Sequence, residues 1–321
     1  MRKNFNSEHI EGRLYQHSIE LKEVKNQNSP NFGKQFLQGS VEVAVDENGL
    51  NVIPVKFTYV TEKTKKGGTN KTYTELMKIM TSGKTWIEDG AEAATKVSID
   101  TALGLNDFPA QDGTMVSIME HSGGFLSVVG DLKAESLRAT FKTDILITNV
   151  ARIEADEERH IDEDYVAIRG AVFDFKNALL PVEYIVKNPE GMKFFEGLEA
   201  SGANPVYTQV WGNINFAPKK ISNTVESAFG EAQTEVRERK AREWIITGAK
   251  KVPYDFGDEA VMTEQELVKA MQDREVHLAE VKKRHEDYVN QKQAATPSFG
   301  ASPSPAVPTP MAAAPVGNWT F

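Results

Sequence analysis

The chain has 321 residues, 40% of them hydrophobic and 26% charged, which is room for two ordinary domains with substantial cores. A net charge of −9 excludes a generally basic nucleic-acid protein, so a nucleic-acid site has to be a local basic patch. The absence of cysteine removes disulfides, thiolate zinc sites and cysteine nucleophiles, and no run of about 18 apolar residues offers a membrane helix.

The opening Met1-Arg2-Lys3-Asn4-Phe5 lacks the apolar core of a signal peptide, so an intracellular, cytoplasmic protein is expected. Residues 11–60 read as strands. Val41, Val43 and Val45 alternate with Glu42, Ala44 and Asp46 at a period of two, Asn48-Gly49 supplies a hairpin turn, and Val52 to Val60 returns as the partner. Lys63 to Asn70 is a polar loop with Gly67-Gly68, and the spacing of Tyr73, Leu76, Met77 and Met80 predicts a short helix. Lys96–Asp100, Met115–Met119 and Phe125–Val129 are expected strands, the last two joined by His121-Ser122-Gly123-Gly124. Residues 139–153 read as a closing strand. The charge run at 154–164 reads as a solvated linker.

Tyr165–Phe175 and Leu179–Val186 follow as strands, then an amphipathic helix after Pro189 through Phe194, Phe195 and Leu198. Val206 to Gly212 is a strand rich in β-branched and aromatic residues, residues 222–240 read as a polar helical stretch, and Trp244 opens the last strand. Thr263 and Glu266 form a capping box. Behind it Leu267, Met271, Arg274, Leu278, Val281, His285 and Tyr288 make a heptad seam, expected as one helix docked on the second half, with a self-pairing coil as the alternative. Residues 254–290 hold ten acidic and five basic side chains. The alanine, proline and serine of 294–315 predict a disordered tail, whose Trp319 and Phe321 read as a peptide ligand for a partner.

One pattern occurs twice. Gly39-Ser40-Val41 followed by the strand at Val52 matches Gly170-Ala171-Val172 followed by the strand at Leu179, and Ile145–Val150 echoes Trp244–Ala249. The fold class is therefore mainly β with some α, built as two tandem, five-stranded, partly open barrels of the oligonucleotide-binding (OB) type. The expected units are a first barrel at 1–153, an acidic linker at 154–164, a second barrel at 165–253, an acidic helix at 254–290 and a tail at 291–321.

Catalytic readings fail on spacing. Gly67-Gly68-Thr69-Asn70-Lys71-Thr72 lacks the glycine that a phosphate loop needs before its lysine. The six histidines form no ligand pair at helical or strand spacing, and no Gly-x-Ser-x-Gly elbow is present. No catalytic residue, metal or cofactor is expected; an enzyme using the carboxylates of 154–164 is the weaker alternative. Single-strand binding needs cations for phosphates and aromatics for bases. The first half offers Lys56, Lys63, Lys65, Lys66 and Lys71 around Tyr59 and Tyr73. The second offers Arg169, Lys176 and Lys187 near Phe173, Phe175, Tyr184, Tyr207 and Trp211, each aromatic being either core or stacking platform. Arg237, Arg239, Lys240, Arg242, Lys250 and Lys251 form the densest basic stretch, around Trp244.

With its paired strands at Gly39 and Gly170 and its tail ending in Phe321, the chain resembles the single-stranded DNA-binding proteins of tailed bacteriophages over both barrels and the tail. The resemblance implies sequence-independent binding that shields replication or recombination intermediates in the host cytoplasm. It also implies recruitment of replication or recombination proteins through the tail tip, although Ala312 to Gly317 lacks the acidic run that usually precedes such a tip. A homo-oligomer is compatible with it, and a structural or adaptor protein of a phage particle is the alternative function.

Overall fold

The computed structural model describes residues 4–156, 159–225, 229, 233–255 and 263–295. The tail tip at Trp319 and Phe321, and with it the expected disorder, lies outside the described residues. Alternating apolar positions put one face of the barrel strands into a core, and the hydrogen-bonded order shows how those strands close. In the first half, β1 (Asn6–His17) pairs antiparallel with β3 (Gln35–Ala44) and with β5 (Lys96–Pro109). β3 pairs with β4 (Val52–Val60), β5 pairs with β6 (Met115–Val128), and β4 meets β6 in parallel at Val55 and His121. The ring is β1-β3-β4-β6-β5. The short β2 (Glu20–Glu23) extends β3, and α1 (Lys71–Ser82) sits between the third and fourth strands of the ring, with α2 (Trp86–Asp89) after it.

The second ring repeats this order. β7 (Ala139–Ile153) pairs antiparallel with β8 (Tyr165–Phe173) and with β10 (Val206–Asn215), β8 pairs with β9 (Leu179–Val186), and β10 pairs with β13 (Glu243–Ala249). β9 and β13 meet in parallel at Ile185 and Ile245, and α3 (Pro189–Glu196) again lies between third and fourth strands. Two OB-type barrels are present, as the duplicated pattern predicts.

Three details differ from the sequence expectation. First, residues 139–153 open the second barrel instead of closing the first. β7 is the counterpart of β1, and β13 the counterpart of β6, so the echo between Ile145 and Trp244 joins strands of unlike place. Second, residues 154–156 and 159–164 lie in the hairpin connection between β7 and β8, drawn together by the Asp156–Ile161 bridge and by Arg152 on Asp164 at 2.9 Å. A loop of carboxylates looks like a linker because both are solvated. Third, the expected helical stretch at 222–240 is replaced, in residues 222–225 and 233–240, by parts of a two-stranded ribbon, β11 (Pro218–Val225) and β12 (Gln233–Lys240), inserted before β13. A ribbon standing outside the eleven-stranded sheet need not alternate apolar with polar residues, so its sequence lacks the period that marks a strand.

The prolines align the repeated hairpins. Glu42 faces Pro54 in β3–β4, and Ala171 faces Pro181 in β8–β9, which makes Gly170 the counterpart of Val41 instead of Gly39. Gly39 has its own role where the β3–β4 register shifts, with a φ of +143° and a Cβ position 2.3 Å from the Ser18 carbonyl oxygen.

The barrels are joined firmly. β1 also pairs with β7, from Asn6–Thr143 to Ile10–Ala139, and one hydrophobic core runs from Leu14, Val41 and Phe57 to Ile168, Tyr184 and Ile246. Between the barrels, the buried Glu8 carboxylate meets His121 Nδ1 at 2.7 Å and accepts from Trp244 Nε1 at 2.8 Å. A buried carboxylate is tolerable only with such partners.

After Thr263 and Glu266 cap it as expected, α4 (Glu264–Ala295) packs Leu267, Ala270 and Met271 over Phe173 and Tyr207 of the second barrel. It also lies against β5 of the first. The single docked helix is thus present, and it touches both barrels.

Candidate nucleic-acid interface

An OB barrel offers ligands the face of its second and third strands, bounded by the loops beside them. In the first barrel these strands are β3 and β4, and Ser40, Pro54, Lys56 and Thr58 point outward because Val41, Val55 and Phe57 fill the core. A cleft of about 540 Å³ lies on this face. Its walls include Phe108 and Asn106 from the end of β5, Ile118, Met119 and Glu120 from the start of β6, and Phe216 and Arg242 from the second barrel. Lys56 reaches Glu120 at 3.4 Å, a half-exposed pair of small worth.

Beyond the cleft, the exposed Tyr59 stacks obliquely on Phe36, with ring centroids 4.6 Å apart. β4 then runs into the Lys63–Asn70 loop, which is a built turn. Thr64 N–H donates to Gly68 O at 2.8 Å, the Asn70 amide donates to Thr61 O at 2.9 Å, and Gly67 takes a φ of +83° that suits glycine. Lys63, Lys65 and Lys66 stand exposed on it, Lys71 follows at the start of α1, and none of the four has an ion pair among the described residues. The face can therefore offer cations to phosphates and rings to bases. Tyr73 is half-buried, packed against the core.

The second barrel departs further from the expectation. Phe173, Tyr184 and Tyr207 are fully buried and cannot meet a base: Tyr184 is enclosed beside Thr143, where burial pushes its hydroxyl pKa up, and Tyr207 packs under Tyr254. Arg169 is held by Glu183 at 2.6 Å. Lys187 lies between Glu163 at 3.0 Å and Glu243 at 3.4 Å; burial lowers its pKa, and the two carboxylates more than offset that. Lys176 remains exposed, 5.3 Å over the ring of Phe175 in the β8–β9 turn. Trp211 is partly exposed, registered between Lys142 of β7 and Gly248 of β13, and so forms a separate patch.

The structure thus gathers Lys56, Tyr59, Lys63, Lys65, Lys66 and Lys71 along one barrel's face and its following loop. Phe36, Phe108, Phe216 and Arg242 are the residues that sequence reasoning passed over as site members. Only Arg242 carried a signal, its place in the densest basic stretch. Among the described residues no cluster of His, Asp and Glu is arranged to hold a metal ion.

No curated protein matches the chain. Among solved structures, a deletion variant of the single-stranded DNA binding protein from Thermus aquaticus is similar over 80% of this chain and 98% of that one, at 13% identity and a TM-score of 0.43. The family model described as YorF matches residues 4–284, both barrels and most of α4, and the chain belongs to the YorF family.

Proposed function

We propose that this protein binds single-stranded DNA on the open face of its first barrel, without sequence preference and without catalysis. The observation that carries this reading is the run of unpaired lysines, Lys63, Lys65, Lys66 and Lys71, continuing from a face that already presents Lys56 and the Phe36–Tyr59 stack. Cations that spend no charge on internal carboxylates are free to replace the counterions of a nucleic-acid strand. In the bacteriophage setting that the resemblance implies, the protein shields replication or recombination intermediates in the host cytoplasm. Its tail tip, Trp319 and Phe321, recruits partner enzymes of those systems.

Titration of fluorescent oligo-dT against the whole protein at low and high salt tests the reading. Binding tighter than to duplex, and weakening with salt, is expected; equal affinity for duplex, or no salt dependence, overturns it. A structural or adaptor role is the second reading. It draws on the exposed Val276 and Tyr288 of α4, which leave room for a partner protein or a second copy. Recovery in purified particles instead of a replication fraction favours it.

A further inference from the structure

The cleft takes its walls from both barrels, and the second barrel's share is a single structural feature. Phe216 and Arg242 flank the segment that carries the β11–β12 ribbon, whose root is closed by Ala241 N–H on Ala217 O at 3.1 Å. This root is fixed to the first barrel. Phe216 N–H donates to Asn51 Oδ1 at 2.8 Å, and the Asn51 amide donates to Ile214 O at 3.3 Å. The Phe216 ring is buried, 5.4 Å from His121 and edge-on to Trp244 at 5.5 Å, and Trp244 is itself bonded to Glu8.

Arg242 emerges from this anchored root. It is exposed, its guanidinium stands 5.9 Å from the Phe216 ring centroid, and it has no carboxylate partner among the described residues. Its neighbours differ: Lys219 is held by Glu243 at 2.7 Å, and Lys56 by Glu120. A planar guanidinium steadied by an aromatic ring, at the rim of a cleft and unspent on internal acids, is suited to bidentate contact with a phosphate.

Building on the single-strand reading, we propose that the cleft is a composite site. Arg242 of the second barrel supplies a phosphate contact to a strand whose bases lie in the first barrel's cleft. The two barrels then act on one strand from its first few nucleotides, and the Glu8–His121–Trp244 contact is what positions the arginine.

The test uses the full chain, oligo-dT of about 6 nucleotides, within the range one OB barrel covers, and oligo-dT several times longer. Arg242→Ala is expected to weaken binding of both and to reduce the slope of log K against log salt by about 0.7, the share of one single-strand phosphate contact. Arg242→Lys restores the slope while recovering only part of the affinity, because it keeps the charge and loses the fork. Lys193→Ala, on the exposed side of α3, changes neither. Wild-type protein that binds both oligonucleotides while Arg242→Ala keeps its affinity and slope, or loses them only on the long one, overturns the composite site and leaves the single-strand reading standing. Wild-type protein that binds neither overturns both.

Discussion

Burial separates residues that the sequence presents as equals. Phe173 is 1% exposed and Tyr59 is 46% exposed, so their truncations should divide cleanly between stability and binding. Phe173→Ala is expected to cost about 3–5 kcal/mol in urea unfolding, with the binding of the remaining folded protein unchanged. Tyr59→Ala is expected to leave unfolding nearly unchanged and to weaken oligo-dT binding by about 1–3 kcal/mol, the worth of one stacked base. Trp244→Phe keeps a ring between the barrels and removes the N–H that Glu8 accepts. A loss of about 1–3 kcal/mol in stability is expected, the price of an unsatisfied buried acceptor. The parity of side chains along a strand was legible, but what covers each face was not. Tyr207 and Trp211 both point outward from β10. Tyr207 is buried because Tyr254 and α4 lie over it, whereas Trp211 lies beyond their reach. That cover comes from residues dozens of positions away, which no local pattern contains.

At the scale of elements, α4 is tied to the hairpin that walls the cleft. Arg274 gives a two-pronged hydrogen bond to Asp107, 2.6 Å at each oxygen, and reaches Ser117 at 2.8 Å; His277 Nε2 stands 3.2 Å from the same carboxylate. Asp107 and Ser117 alternate with the cleft residues Asn106, Phe108 and Ile118, so the helix holds the hairpin from behind. Burial raises the Asp107 carboxyl, but hydrogen bonds from Arg274 and Ser117 and the Arg274 charge bring it below the ordinary aspartate value. A group depressed in the folded state adds stability that is full above its unfolded pKa, about 3.9, and disappears as the pH falls through the lower folded value. Hydrogen-exchange protection of α4, taken relative to the intrinsic rate at each pH, should therefore be high at neutral pH and fall below about pH 4 as the clamp protonates. Arg274→Ala should reproduce that release at neutral pH and cost about 3–5 kcal/mol, since it strands a buried carboxylate. Equal protection of α4 in wild type and variant would show that the clamp does not hold the helix. The capping box and apolar stripe of α4 were readable in the sequence. Arg274 was readable only as a polar interruption of the seam, because its partner lies 167 positions away.

For the whole molecule, the duplication was legible and its boundary was not. Matching strings of apolar residues pairs strands by composition, whereas a barrel assigns them by hydrogen-bond partner, and β7 has partners in both barrels. Its buried faces explain why it reads as the end of one unit and serves as the start of the next: Ile145 and Ile147 join the main core, while Leu146 faces the cover supplied by α4. This has a direct consequence for dissection. A fragment ending at residue 138 retains all five strands of the first ring, β1-β3-β4-β6-β5, and loses the flank of β1 that pairs with β7, the Phe216 and Trp244 contacts on Asn51 and Glu8, and the Arg274 clamp on Asp107. A fragment ending at residue 153 adds β7 without β8 or β10, leaving an apolar strand with an open edge, the arrangement that drives edge-to-edge association. The shorter fragment is expected to be a monomer with a single cooperative melt, less stable than the full chain because Glu8 and His121 lose Trp244. The longer one is expected to aggregate. Size-exclusion chromatography with light scattering on the two fragments decides it. A monodisperse 1–153 beside an unfolded 1–138 would return β7 to the first barrel, because a strand belongs to the unit that cannot close without it.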